Sequence, residues 1–294
     1  MFFRRTVVCF FLLCSVVCSQ DLRISSSYVD TLEYKQNGTR LIGYGRNDSL
    51  SGPRSHGTQV RALNDKSQII MSCRGFRVQD MTLIKVPLWI KPRRGVGVGH
   101  GIIENIAFWE KGIVIGDEAF NGNGADITIR NCWFRNCEAA ITITTSQNVN
   151  IAIDDCTFNR CKIHLKVDGG GLVTFRKPYI LGGGTCIYLT NKAIGTRVGS
   201  QNGHFWIYNP IWDQKQVYPT KLLVDESRWG KGRSLTVRDS KFAGNHFKKG
   251  DTLTSVRDGA WKVFNENPVG LPSFMIDPTP VETVKKNKVQ IFKR

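Results

Sequence analysis

Residues 127–143 read Ile127-Thr-Ile129-Arg-Asn131-Cys132-Trp-Phe134-Arg-Asn-Cys137-Glu-Ala-Ala-Ile141-Thr-Ile143. The pattern nearly returns as Ile151-Ala-Ile153-Asp-Asp155-Cys156-Thr-Phe158-Asn-Arg-Cys161-Lys-Ile163-His-Leu165. Apolar and polar residues alternate, which is the period of a strand and not of a helix. Each run breaks at Asn or Asp, residues that tolerate a left-handed backbone and bond neighbouring peptide groups. Two such copies, 24 positions apart from 131 to 155, point to a repeat architecture.

The template apolar-x-apolar-x-Asn/Asp-x-x-large apolar extends both ways. It fits Phe76-Val78-Asp80-Leu83, Gly101-Ile103-Asn105-Phe108, Phe205-Ile207-Asn209-Trp212 and Leu235-Val237-Asp239-Phe242, with a degenerate copy at Val173-Phe175-Lys177-Ile180. Turn positions 80, 105, 131, 155, 177, 209 and 239 are 22 to 32 residues apart, enough for three short strands and three turns. The spacing predicts an all-β chain, a single-stranded right-handed parallel β-helix of about 7–9 coils. Like positions should then stack ~4.8 Å apart. The Asn/Asp corners are expected to form an interior ladder, and Phe108, Phe134, Phe158, Trp212 and Phe242 an interior column of rings. Leucine-rich repeats and propeller blades fit the spacing and composition less well.

The chain divides into residues 1–19, 20–66, 67–260 and 261–294. Residues 1–19, with Arg4 and Arg5 ahead of a short apolar run, read as a secretory signal peptide cleaved near Ser19/Gln20. A lipid anchor on Cys18 fits less well, because Val17 precedes it. No stretch is long and apolar enough to span a bilayer, so the expected location is extracellular or periplasmic. Residues 20–66 supply an opening coil, with a turn at Asn37-Gly38, and a polar loop at 47–56; Asp21–Tyr28 carries little pattern. Residues 67–260 hold the regular repeat, and 261–294 an irregular basic tail or cap. Asn37 and Asn47 stand in glycosylation sequons.

The 294-residue chain carries a formal charge of +17; loss of Arg4 and Arg5 with the leader leaves +15. Anionic partners follow, and for an exported solenoid these are acidic polysaccharides or a charged cell surface. Nucleic acid fits less well, since the basic residues are scattered and no nucleic-acid motif is present. Six of nine cysteines lie beyond the leader: Cys73, Cys132, Cys137, Cys156, Cys161 and Cys186. An even count in an exported protein invites disulfides. The repeat instead stacks Cys132 on Cys156 and Cys137 on Cys161 as small interior hydrophobes, with no metal site.

The Asn-Cys-x-Phe-x-Asn-Cys-x-x-x-Ile-x-Ile coils, preceded by Thr39-Arg-Leu-Ile-Gly-Tyr-Gly45, resemble the pectate-lyase-like (pectin-lyase fold) superfamily over about residues 30–245. The resemblance specifies fold better than activity, because that superfamily holds lyases, glycosidases and non-catalytic members. The polygalacturonase motif set is absent; Gly99-His100-Gly101 precedes Asp154-Asp155, and no Asn-Thr-Asp occurs. The resemblance leaves calcium open as a cofactor, although the pectate-lyase calcium-and-arginine signature is not recognisable.

In this superfamily the substrate groove runs along the sheet that follows the ring column. Alternation places Leu88/Ile90, Ile113/Ile115, Ile141/Ile143, Ile163/Leu165, Ile187/Leu189 and Leu222/Val224 inside. Trp89/Lys91, Val114/Gly116, Thr142/Thr144, His164/Lys166, Tyr188/Thr190 and Leu223/Asp225 are then outside. The expected function is an exported protein that acts on or binds an acidic polysaccharide. For β-elimination, His164, Lys166 or Tyr188 is the candidate base, and Lys91, Arg135 or Arg160 the charge that neutralises a uronate. Trp89 and Tyr188 offer stacking faces, with Thr142, Thr144 and Asp168 beside them. Two alternatives stay open: a non-catalytic glycan- or surface-binding solenoid, and a hydrolase using carboxylates among Asp117, Glu118 and Asp168.

Overall fold

The computed structural model describes residues 20–46, 57–93, 97–117, 124–144, 147–168, 170–190 and 203–212. It adds strand backbone at Lys221–Asp225, Arg233–Arg238, Thr254–Val256, Trp261–Glu266 and Gln290–Lys293. The expected leader, the expected polar loop at 47–56 with Asn47, and Glu118, Asp239 and Phe242 lie outside these residues. The described chain is all-β, and its ladders are parallel, joining each strand to its counterpart in the next repeat. This is consistent with a parallel β-helix solenoid.

Three faces recur. On the first, residues 77–79, 102–104, 127–130, 151–154, 173–176 and 205–208 pair in succession. On the second, Leu83, Phe108, Phe134, Phe158, Ile180 and Trp212 stand in register. On the third, Leu88, Ile113, Ile141, Leu165 and Ile187 do so. Branched and aromatic side chains suit a pleated surface buried on one side, and the inward residues of all three faces fill one continuous core.

The corners explain why Asn and Asp recur. Asp80, Asn105, Asn131, Asp155, Lys177 and Asn209 all have φ between 48° and 60°, the left-handed region. Asn105 Nδ2 donates to Asp80 Oδ1, and Asn131 Nδ2 to Asn105 Oδ1 at 3.5 Å. The ladder sits on the outer edge and not inside: Asn131 and Asp155 are exposed, because a left-handed corner turns its side chain away from the core. Two further corner columns share that conformation. One contains Lys85, Glu110, Asn136 and Arg160, the other Gly38, Gly75, His100, Asp126 and Asn150.

Phe108 and Phe134 stack at 4.9 Å and 5°, and Phe134 and Phe158 at 5.2 Å and 9°. Ile180 then interrupts the rings before Trp212 takes the register position. Gly101 is required by the same packing, since a Cβ there would lie 2.1 Å from Cζ of Phe76.

The chain start is more regular than its sequence pattern. Asp21–Arg23 and Ser27–Val29 are strands of the first coil, paired to Arg40–Ile42 and to residues 60–62. The strands on either side of the turn at Asn37-Gly38 lie on different faces. Thr31–Tyr34 pairs with Gln68–Met71, whereas Arg40–Ile42 pairs with 77–79 on another face.

All six described cysteines are free and buried. The thiol of Cys132 donates to Arg130 O at 3.3 Å, and that of Cys156 to Asp154 O at 3.3 Å. Burial and the neighbouring Cys132 push the Cys156 thiol well up. Contact with Cys161, then burial, does the same to Cys137. Burial raises Cys186 to about 12 and Cys73 to about 11. The stacked pairs therefore behave as small core side chains.

Candidate functional site: the third face

The outer side of the third face carries Trp89, Val114, Thr142, Lys166 and Tyr188 in one register column. A shallow depression of about 380 Å³ opens over its upper part. It is lined by Val114, Thr142, Ile163, Lys166 and Tyr188, with Glu110 and Glu138 at the rim. Lys166 and Tyr188 are direct cross-strand partners, so an ammonium and a phenol lie side by side. Among the described residues Lys166 has no carboxylate within ion-pair distance.

Trp89 and Lys91 are on this face but committed to each other. The Lys91 ammonium lies 4.3 Å from the Trp89 ring centroid, and Trp89 Nε1 donates to Gly116 O at 2.6 Å. Lys91 also meets Asp117 at 3.6 Å, so Asp117 is not an open carboxylate.

Five expected site residues are placed elsewhere. His164 points inward and is fully buried. Its ring lies 5.3 Å from that of Phe158, and Nε2 is 3.2 Å from Gly182 O. Nδ1 has no partner among the described residues. Desolvation holds its pKa at about 4, only partly offset by the Gly182 carbonyl, so the imidazole is neutral and sealed from substrate. The error is local. Strand Thr157–Val167 runs through the bend between the second and third faces, where the in–out alternation breaks. His164 and Leu165 both face the core, as do Ala140 and Ile141 one coil below. Inward positions are therefore Leu165 and Val167, and Ile163 faces the depression.

Thr144 and Asp168 end this face as buried groups, 8% and 1% exposed. Thr144 Oγ1 donates to Ile115 O at 3.2 Å, and Thr190 Oγ1 donates to Asp168 Oδ1. They close the end of the face as buried, hydrogen-bonded groups. Arg135 belongs to the second face, its guanidinium 4.6 Å from the centroid of Trp109. Burial, with the charge of Arg160 next, lowers its pKa. Arg160 occupies the exposed corner between the second and third faces. Higher up, the register sets Leu223 against Ile187 and Val224 against Tyr188, one place off the expected Leu222/Val224 pair.

Glu110 and Glu138 were not legible as site residues. Glu110 sits at a left-handed corner whose column (Lys85, Glu110, Asn136, Arg160) shares no residue type. Both are held by lysines, Glu110 by Lys85 at 3.5 Å and Glu138 by Lys162 at 2.5 Å. Among the described residues no three His, Cys, Asp or Glu side chains converge on a metal-sized site. No described helix is long and apolar enough to cross a membrane. Comparison of the chain with family models, curated proteins and solved structures finds no match.

Proposed function

We propose that the chain is an exported right-handed parallel β-helix of about 7–9 coils, like pectate-lyase-like proteins, whose third face binds an acidic polysaccharide. The observation that carries this reading is the Lys166–Tyr188 pair, in register and lining a depression that Thr142 and Val114 also line. Successive coils offer one outward side chain each at ~4.8 Å intervals, a spacing suited to a polymer. Lys166 meets a uronate carboxylate, Tyr188 presents a flat face to a sugar ring, and the formal charge of +15 left after the leader is lost draws the polymer in.

β-Elimination is the second reading, favoured by the same juxtaposition. The phenolate of Tyr188, or neutral Lys166, would take the proton on the carbon beside the carboxylate. A carbon–carbon double bond would form there as the glycosidic C–O bond breaks, and the leaving oxygen would take up a proton. The test uses polygalacturonate, alginate and glycosaminoglycans, with and without calcium, comparing the wild type with Lys166→Ala and Tyr188→Phe. Binding predicts salt-sensitive retention that Lys166→Ala weakens; elimination adds ultraviolet absorbance from the unsaturated product that both variants lose. Retention and absorbance unchanged in both variants would refute the site.

A further inference from the structure

The third-face depression has a second cation beside its floor. Two outward columns line it over the same three coils. One is Val114, Thr142 and Lys166. The other holds Ala139 and Ile163, direct cross-strand partners, and counting back two from the Ile113–Ile141 pair sets Lys111 below them. Gly112 supports that count, since an added Cβ there would collide with the Ala140 carbonyl. The two lysines thus stand at opposite corners of the floor, Lys111 lowest in one column and Lys166 highest in the other. The four residues between them, Ala139, Ile163, Val114 and Thr142, are uncharged.

On the first face the cations are already committed. Glu104 bonds both Arg77 and Arg130, and Arg176 makes a bidentate pair with Asp154 at 2.7 and 2.6 Å. The depression differs. Its rim acids are neutralised, Glu110 by Lys85 and Glu138 by Lys162. Among the described residues neither Lys111 nor Lys166 has a carboxylate within ion-pair distance. Lys111 is exposed and Lys166 half-buried, so both ammoniums are open to a ligand. The columns are three residues apart, at most ~10 Å along the strands, and the lysines two coils apart, ~9.6 Å across them. Their backbones are therefore separated by up to ~14 Å.

We propose that Lys111 is a second anion contact of this site, and that the ligand is an acidic oligosaccharide lying obliquely across three coils, one carboxylate at Lys166 and another at Lys111. This rests on the proposed binding function and extends it. One sugar ring does not span the two lysines, so the site selects chains that carry acids on separated residues. An ammonium is a compact point charge that a carboxylate meets from several directions, and the uncharged floor gives the intervening rings apolar contact at Ile163 and Val114.

The full chain is titrated by calorimetry at one low ionic strength with galacturonate and alginate oligosaccharides of increasing length. Wild type is compared with Lys166→Ala, Lys111→Ala, Lys111→Arg and Lys177→Gly. Lys177 lies at the exposed first corner, where glycine accepts its φ of 49°, so its loss removes an equal charge away from the site. Either alanine variant should weaken long oligomers by up to about fivefold, the range of an exposed ion pair. Lys111→Arg should hold wild-type affinity, and Lys177→Gly should change nothing. The shortest oligomer with measurable affinity should be sensitive to Lys166→Ala alone. Long-oligomer binding that Lys166→Ala weakens and Lys111→Ala does not overturns this inference and leaves the third-face reading standing. An equal loss in Lys177→Gly does the same, because it shows general charge attraction, as does a short oligomer that responds to Lys111→Ala as strongly as a long one. Binding that neither alanine alters, or no binding at all, overturns the third-face site itself.

Discussion

Replacing Phe134 with alanine tests the core directly. The ring is fully buried and stacked on both sides, 4.9 Å from Phe108 and 5.2 Å from Phe158. Burying such a side chain contributes ~1.5–3 kcal/mol, and each stacked neighbour ~0.5–1.5 kcal/mol more. Phe134→Ala should therefore cost about 3–5 kcal/mol, the range seen when large core side chains are truncated. Phe134→Leu keeps most of the buried area but loses both stacks, so about 1–2 kcal/mol is expected. Urea unfolding followed by near-ultraviolet circular dichroism gives both values. A double-mutant cycle separates contact from general loosening: Phe134 and Phe158 should couple by ~0.5–3 kcal/mol, whereas Phe134 and Val60, three coils apart in the same column, should add independently. A Phe134→Ala cost below about 1 kcal/mol, or a Phe134→Leu protein as stable as wild type, would refute the continuous ring column.

His164 predicts a pH dependence. Its folded pKa of about 4 lies below the ordinary 6.5 because burial opposes charge. The unfolded chain thus binds the proton more tightly, and stability is full above pH 6.5 and falls as pH drops toward 4. One unit is worth ~1.4 kcal/mol, so the loss over that window is about 3 kcal/mol; His164→Gln should flatten it, and an unaltered slope would contradict the burial. Native protein at pH 8 should resist alkylation at all six core cysteines and react at all six once denatured. A mass lower by two hydrogens per cysteine pair would show disulfides instead. At the first corner, Asn131→Gly should be nearly neutral and Asn131→Ala should cost about 1 kcal/mol, because only the glycine accepts φ of 51° freely; equal effects in thermal unfolding would argue against a left-handed corner.

What the sequence disclosed was whatever repeats in residue type. The first corner is Asp or Asn in five of its six described positions (Asp80, Asn105, Asn131, Asp155, Asn209), with Lys177 the exception, and the Phe and Cys columns repeat likewise. The other two corner columns use Lys, Glu, Asn, Arg, Gly, His and Asp for one backbone conformation, so no letter pattern marks them. That concealment moved the candidate site. Without the second corner, alternation runs back from Leu165 into the bend, which turns His164 outward and Ile163 inward. Lys166 and Tyr188 survived because they lie beyond the bend, where the pleat is regular again. Thr144 and Asp168 were misread because alternation gives direction and says nothing of what covers a strand end.

The paired charges on the first face also bear on how the chain finds its own thread. Coils with nearly interchangeable sequences invite one to dock a step too far along the stack. In the native order Glu104 meets Arg130 and Asp154 meets Arg176. Skipping one coil would press Glu104 against Asp154 and Arg130 against Arg176, like on like. Direct neighbours of one sign on adjacent strands are destabilising, so the alternation penalises the mis-threaded stack at every step and marks each coil as the mate of one neighbour alone.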